Sequence, residues 1–284
     1  MTGHAAISGR TQLYGVLGHP VGHSLSPAMQ NAAFRALGLD AVYVALPVAP
    51  ERLLEALRGA HALGFQGLNV TVPHKQGAAA ACLRRDAVAE LCGAANTLRR
   101  RADGWEGSNT DGPACLALLQ AAGVAKGARA LLLGAGGAAL AGAWALLSVG
   151  CAVEVAARRA DAAAELAERM SAAFPATPAV RPLGWEAAAE RARDVDVIVN
   201  ATSIGLGGNS EGLPPFRFRR GQVAADFVYG DTAFARAVQA EGATLITGEQ
   251  ILVRQGALAF TLWTGQPAPE AVMTAALRAP HEHR

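Results

Sequence analysis

Strong charge of either sign is missing from this sequence. Charged residues are only 17% of the 284, and 25 Lys and Arg nearly cancel 23 Asp and Glu. A net charge of +2 sets up no field that would hold nucleic acid or an anionic membrane as the main partner, so any basic site must be local. Cysteine is scarce too. Cys82, Cys92, Cys115 and Cys151 stand without CxxC or CxxH spacing, which argues against a zinc site and a disulfide framework and makes reduced cytoplasmic thiols the expectation. Met1 to Gln12 has no apolar run of signal-peptide type, so secretion is not expected. Internal repeats and low-complexity linkers are also lacking.

Charge is absent altogether from Ala130 to Val153, a stretch long enough to suggest a membrane span. Its glycines speak against that. Gly134, Gly136 and Gly137 follow a short Leu131-Leu132-Leu133 run, and Gly150 precedes a second strand-like run, which predicts strand, turn, helix and strand buried in protein.

What is present is a regular alternation of strand and helix signals in a chain long enough for two domains. Leu13 to Leu17 reads as a strand running into a turn-rich loop, Gly18 to His23. Ser26 is then expected to cap a helix with Pro27 at its first position, and Gly38 to stop it. Strands are predicted at Val42 to Leu46 and Gly67 to Val72, with a helix from Pro50 to Gly59 between them. Gly104 to Gly112 is polar and glycine-rich, and the domain crossing is placed near it. Beyond it the pattern predicts a helix from Pro113 to Ala122, a strand ending at Leu133, a helix to Val149, a strand at Val153 to Ala156 and a helix from Asp161 to Ala173. Further strands are expected at Val195 to Asn200 and Val223 to Val228, and a last helix at Gln250 to Trp263, packing back on the first domain. The predicted fold class is α/β: a mixed-sheet domain of residues 1–112 and 248–284, and a Rossmann-type domain of residues 113–247.

Gly134-Ala135-Gly136-Gly137-Ala138-Ala139 fits GxGxxG/A directly after a strand and at the opening of a helix. The first glycine permits the tight turn, the second lets backbone approach a pyrophosphate, and the helix N-terminus supplies unpaired N–H groups. An NAD-selective site would have an acidic residue near the end of the next strand. Arg158 and Arg159 stand there instead. Arginine gives a 2′-phosphate charge-assisted hydrogen bonds, so NADP is the predicted cofactor.

The other half carries more specific blocks: Gly18-His19-Pro20, His23-Ser24-Leu25-Ser26-Pro27, Asn69-Val70-Thr71-Val72-Pro73-His74-Lys75, Gly93-Ala94-Ala95-Asn96-Thr97, Asn109-Thr110-Asp111-Gly112 and Gln255-Gly256-Ala257-Leu258-Ala259-Phe260. With the glycine turn, Asn200-Ala201-Thr202-Ser203 and Asp226-Phe227-Val228-Tyr229, these resemble the shikimate dehydrogenase family in order and spacing over nearly the whole chain. The resemblance implies reversible NADPH-dependent reduction of 3-dehydroshikimate to shikimate in aromatic amino acid (chorismate) biosynthesis. It implies a catalytic pair at Lys75 and Asp111. Substrate contacts are implied at Ser24, Ser26, Thr71, Asn96, Asp111, Tyr229 and Gln255, and cofactor contacts at Asn200, Thr202, Phe227 and Gly248 besides the glycine turn and the two arginines.

These residue types suit the chemistry. A cyclic polyol carboxylate needs hydroxyls and amides as donors and acceptors, with one cation near the reacting oxygen. Lys75 is expected to exchange a proton with the C3 oxygen, while Asp111 either orients the substrate hydroxyl and Lys75 or shares the proton as a coupled partner. Read one by one, Ser24 and Ser26 also suit a loop and a cap, Asn96 a turn, and Gln255 the polar face of a helix. Their joint occurrence favours binding. His19 and His23 have Pro20 and Gly22 between them, which rules against a helical metal pair, so no metal is expected. Tyr14 and Tyr43 are expected in the core.

Some positions depart from the family pattern. Gln30 stands for histidine, Ala157-Arg158-Arg159 for Asn-Arg-Thr, Ala162 for a further arginine, Leu140 for a basic residue, and Glu249-Gln250 for Leu-Gly, and the loop after Tyr229 is shorter. Paired serines at Ser24 and Ser26 favour shikimate over quinate, with a quinate or aminoshikimate dehydrogenase as the enzyme alternative. A non-catalytic NADP-binding sensor is the alternative outside enzymes; it would be expected to lose Lys75 or Asp111 or to carry a DNA-binding segment. The expected ligands are small molecules, without nucleic acid or membrane, for a monomer or homodimer.

Overall fold

The computed structural model describes residues 7–206 and 211–278, so the start of the Met1 to Gln12 segment lies outside the described residues. The chain divides into two compact units, Met1–Thr110 with Leu252–Arg284 and Asp111–Ile251.

The first unit opens with β1 (Gln12–Gly18), α1 (Ser26–Ala36), β2 (Ala41–Pro47), a 3-10 turn at Pro50–Arg52, α2 (Leu53–Ala62) and β3 (Gly67–Val70). It continues with α3 (Lys75–Ala81), β4 (Arg84–Arg85), α4 (Ala87–Cys92), β5 (Thr97–Arg101) and β6 (Gly104–Ser108). Its strands form one sheet in the order β2-β1-β3-β5-β6-β4. The sheet is mixed: β1 runs parallel to β2 and β3, whereas β5 is antiparallel to β3 and β6. The polar, glycine-rich stretch Gly104 to Gly112 is therefore strand β6 as far as Ser108. Its burial alternates, with Trp105 and Gly107 inward, as a strand with one covered face requires. Trp105 donates its indole N–H to the Leu57 carbonyl at 2.9 Å.

The second unit comprises α5 (Asp111–Ala121), β7 (Arg129–Leu133), α6 (Gly137–Val149), β8 (Ala152–Ala157), α7 (Ala160–Ala173), β9 (Arg181–Gly184), α8 (Ala188–Arg191), β10 (Val197–Asn200), β11 (Val223–Asp226), α9 (Ala233–Ala240) and β12 (Thr244–Ile246). Its sheet, ordered β12-β11-β10-β7-β8-β9, is parallel throughout. Counted from β9 the strands run third, second, first, fourth, fifth and sixth in chain order, the doubly wound dinucleotide-binding arrangement. Ala130 to Val153 folds as β7, α6 and β8, and among the described residues no helix is long and apolar enough to cross a membrane. The β11 ladder stops at Asp226, short of the expected Val228, because the Val228 N–H turns to the Asp226 side chain instead.

Two helices close the chain, α10 (Gly248–Thr264) and α11 (Glu270–Arg278). A capping box starts α10: Thr247 N–H donates to Gln250 Oε1 at 2.8 Å, and Gln250 N–H donates to Thr247 Oγ1 at 3.3 Å. From Leu252 onward the chain belongs to the first unit, where Val253, Ala257, Phe260 and Met273 share a core with Tyr14, Met29, Phe34 and Tyr43. Trp263 packs on both tyrosine rings of that core. The second unit has its own core, with Leu131, Leu133, Ile198, Phe216 and Phe234 among its members.

Candidate active site

In the first unit the residues of interest are tied by a chain of buried hydrogen bonds. Strand β3 is buried at all of its positions yet contains Asn69, and a polar side chain there must find partners. Asn69 Oδ1 accepts from the Tyr43 phenol at 2.7 Å, and its Nδ2 donates to the Asn96 carbonyl and to Thr97 Oγ1, both at 3.1 Å. Asn96 in turn donates to Thr110 Oγ1 at 3.0 Å and to Gln255 Oε1 at 3.2 Å, while its Oδ1 accepts the Thr110 N–H at 2.7 Å. Gln255 Nε2 donates to the Leu252 carbonyl at 2.9 Å. Gly256 allows this arrangement, because a Cβ there would run into the Met29 methyl on α1.

Burial pushes the pKa of the Tyr43 phenol well up, so that it remains a donor, and Ser26 lies beside it. Ser26 is not the helix cap expected from sequence. Helix α1 begins at Ser26 itself, with Leu25 as the flanking residue and no side-chain cap, which leaves the Ser26 hydroxyl turned to the buried Tyr43. Ser24, half-buried, accepts the Ser26 N–H at 3.3 Å.

Thr71 follows β3 and donates its N–H to the Leu17 carbonyl at 2.8 Å. Its methyl lies so close to Gly18 that a Cβ there would be 2.5 Å away. Lys75 is the first residue of α3, half-buried. Two contacts fix that turn: buried His74 donates from Nε2 to the Val48 carbonyl at 2.7 Å, and Ala95 N–H donates to the Lys75 carbonyl at 2.9 Å. Thus Ser24, Ser26, Thr71, Lys75, Asn96 and Gln255 all belong to one unit. The supporting roles of Tyr43, Asn69, Thr97 and Thr110 were missed at the sequence level. Asn69 alone carried a local signal, as a polar residue in an apolar strand.

The second unit holds Asp111, buried as the first residue of α5. It also holds the glycine turn, which lies where the strand order reverses. Gly134 follows β7 at φ +106°, a conformation that favours glycine, and a Cβ on it would lie 3.0 Å from the Ala201 carbonyl oxygen after β10. Gly136 flanks α6 in extended backbone with nothing within 4 Å of a would-be Cβ, so open space meets the helix N-terminus. Arg158 and Arg159 are exposed directly after β8, and no carboxylate stands at that strand end. These features fit a dinucleotide with a 2′-phosphate.

Around the ends of β10 and β11, Asn200 Oδ1 accepts from Thr202 Oγ1 at 2.7 Å and its Nδ2 donates to Asp226 Oδ1 at 3.0 Å. Asp226 Oδ1 also accepts the Val228 N–H at 3.0 Å, and Oδ2 accepts from Thr232 Oγ1 at 2.6 Å. Burial nonetheless pushes the Asp226 carboxyl up to about 6, the three donors opposing and Glu249 adding to the rise. Phe227 and Tyr229 are half-buried, and Gly248 is buried. The four cysteines are buried as well. Burial lifts the thiols of Cys82 and Cys151 to about 11 and of Cys115 to about 12, so these are not nucleophiles at neutral pH.

A parallel sheet with this strand order and glycine turn, in one chain with a unit of buried amides and hydroxyls around a lysine-bearing helix, is the architecture of a dinucleotide-dependent oxidoreductase. Residues 16–98 match the model of the shikimate dehydrogenase substrate binding domain, and residues 248–278 that of the shikimate 5′-dehydrogenase C-terminal domain. A shikimate dehydrogenase (NADP(+)) of Anaeromyxobacter sp. (strain K) is 65% identical over 273 residues, covering 96% of this chain and 98% of its own. A shikimate dehydrogenase solved in complex with NADP+ superposes with a TM-score of 0.88 at 35% identity, over 96% of this chain and 97% of the other. The Thermus thermophilus shikimate 5-dehydrogenase, solved with NADP(H) and shikimate, gives 0.83 at 37% identity, over 94% and 99%. The chain belongs to the shikimate dehydrogenase family.

Proposed function

We propose that this chain is an NADP-dependent shikimate dehydrogenase, reversibly reducing 3-dehydroshikimate to shikimate in the cytoplasmic route to chorismate and the aromatic amino acids. The observation that carries the reading is the hydrogen-bonded chain from Tyr43 through Asn69 and Asn96 to Gln255, set beside the backbone of Lys75. It presents hydroxyl and amide groups, already ordered by their neighbours, to a polyol carboxylate. Ser24, Ser26, Thr71, Asn96, Tyr229 and Gln255 bind the substrate. Paired donors of this kind reject analogues that lack the matching hydroxyl, because the site's polar groups would be left unsatisfied.

With NADP in place, its nicotinamide would supply the hydride to C3 in reduction and take it up in oxidation. Lys75 delivers a proton to the C3 oxygen in the reducing direction, so the ketone gains one hydride and one proton, and takes that proton back in oxidation. Asp111 is its partner, orienting the reacting hydroxyl. Gly134 to Ala139 and the α6 N-terminus would hold the pyrophosphate, Arg158 and Arg159 the 2′-phosphate, and Asn200, Thr202, Phe227 and Gly248 the remainder of the cofactor. The test is a side-by-side measurement of initial oxidation rates for shikimate and quinate, each with NADP+ and NAD+. The highest kcat/KM is expected for shikimate with NADP+; no turnover with any pairing would reject the enzyme reading.

A further inference from the structure

The turn that carries Tyr229 is held on both sides of that residue by carboxylates from different elements. Val228 N–H donates to Asp226 Oδ1 at 3.0 Å, and Gly230 N–H donates to Glu249 Oε1 at 2.7 Å. Asp226 ends β11, whereas Glu249 lies in the first turn of α10. Between the two bonds, Gly248 is pressed against the Val228–Tyr229 peptide so closely that a Cβ on it would overlap the Tyr229 nitrogen. The carboxylate of the turn itself is engaged elsewhere: Asp231 Oδ2 accepts from Arg236 Nη1 at 2.8 Å. Gly230 sits at φ +99°, so its N–H direction belongs to a conformation that an ordinary residue would not hold.

We propose that Glu249 is a positioning residue for Tyr229, its carboxylate fixing the turn so that the phenol meets the substrate in one orientation. An anionic acceptor binds a backbone N–H more strongly than a neutral one, and the first turn of a helix favours a carboxylate. Removing it frees the Gly230 N–H while Asp226 still holds Val228 and the Thr232 N–H still holds the Gly230 carbonyl, so the turn loosens beside Tyr229 and the phenol samples positions in which it does not contact substrate. Such a loss weakens ground state and transition state alike, so it raises KM while leaving kcat in place. This inference rests on Tyr229 contacting the substrate, as proposed above.

The test uses full-length Glu249→Ala, Glu249→Gln, Tyr229→Phe and the Glu249→Ala/Tyr229→Phe double variant, with steady-state kinetics on shikimate and NADP+ and amide exchange at Gly230. Glu249→Ala is expected to raise the KM for shikimate about 10-fold, the loss of one charge-assisted hydrogen bond, with kcat within about 2-fold. Exchange at Gly230 should quicken by a similar factor. Glu249→Gln, which keeps an oxygen acceptor, should restore most of both. The double variant should be little worse than Tyr229→Phe alone. An unchanged KM in Glu249→Ala while Tyr229→Phe raises it, or strictly additive losses, overturns the proposal. If Tyr229→Phe itself leaves KM unchanged, the substrate role of Tyr229 fails and with it the functional part of the inference, and Gly230 exchange then decides whether Glu249 holds the turn.

Discussion

Asp226 makes a titration of stability informative. It is 1% exposed, accepts three hydrogen bonds, and still has its carboxyl raised from an ordinary 3.8 to about 6 by burial. Between those two values the folded protein holds a proton at this site that the unfolded chain has released. The contribution is therefore fully present below about pH 4 and is lost as pH rises through about 6, the reverse of a salt-bridged carboxylate. At about 1.4 kcal/mol per unit, this single group withdraws on the order of 3 kcal/mol of stability between pH 4 and about 7.5. Other groups act in the opposite sense. Burial would raise Glu106 but its bonds to Arg99 and Arg101 lower it, and the Arg129 backbone N–H lowers Asp196. The comparison must therefore be between wild type and Asp226→Asn. Asparagine keeps an oxygen for Asn200 and Val228, and its amide can donate to the Thr232 hydroxyl, which turns to accept. Urea denaturation followed by circular dichroism across this range should show the variant gaining about 3 kcal/mol relative to wild type as pH rises. A stability difference that stays constant from pH 4 to about 7.5 would refute the reasoning.

Three further outcomes follow from the site and its frame. Lys75→Ala should lower kcat by about 10²- to 10⁴-fold with an unchanged circular dichroism spectrum, and near-normal kcat would remove Lys75 from proton transfer. Arg158→Ala should reduce kcat/KM for NADP+ by roughly 10- to 100-fold, the worth of one charge-assisted bond to the 2′-phosphate, and leave NAD+ use almost unchanged; a loss of less than a few-fold speaks against the assignment. Gly67→Ala would place a methyl inside the Trp263 indole, whose N–H donates to the Leu98 carbonyl at 2.9 Å. Displacing that ring should cost about 2–4 kcal/mol in urea denaturation, and a neutral substitution would show that the ring yields freely.

The sequence by itself determined what depends on near neighbours. The strand-and-helix alternation, the Gly134 turn, the basic residues after β8 and the glycine that ends α6 at Gly150 are all set by periodicity or by backbone demands within a few residues. The same local reading placed the Ser26 cap one position wrong, since it could not see the buried Tyr43 that the hydroxyl meets. It also passed over β6, because a short strand rich in glycine has little local preference and is made by pairing with β5. Only the tertiary structure brought Asn96 to Gln255, 159 residues away, and Glu249 to Gly230, 19 away. A buried polar group must be paired, but the partner that satisfies it is chosen by how helices and strands pack, which no short window of sequence contains. The raised pKa of Asp226 has the same origin. Its side chain is ordinary, and the folded chain around it removes the water that would have kept it ionised.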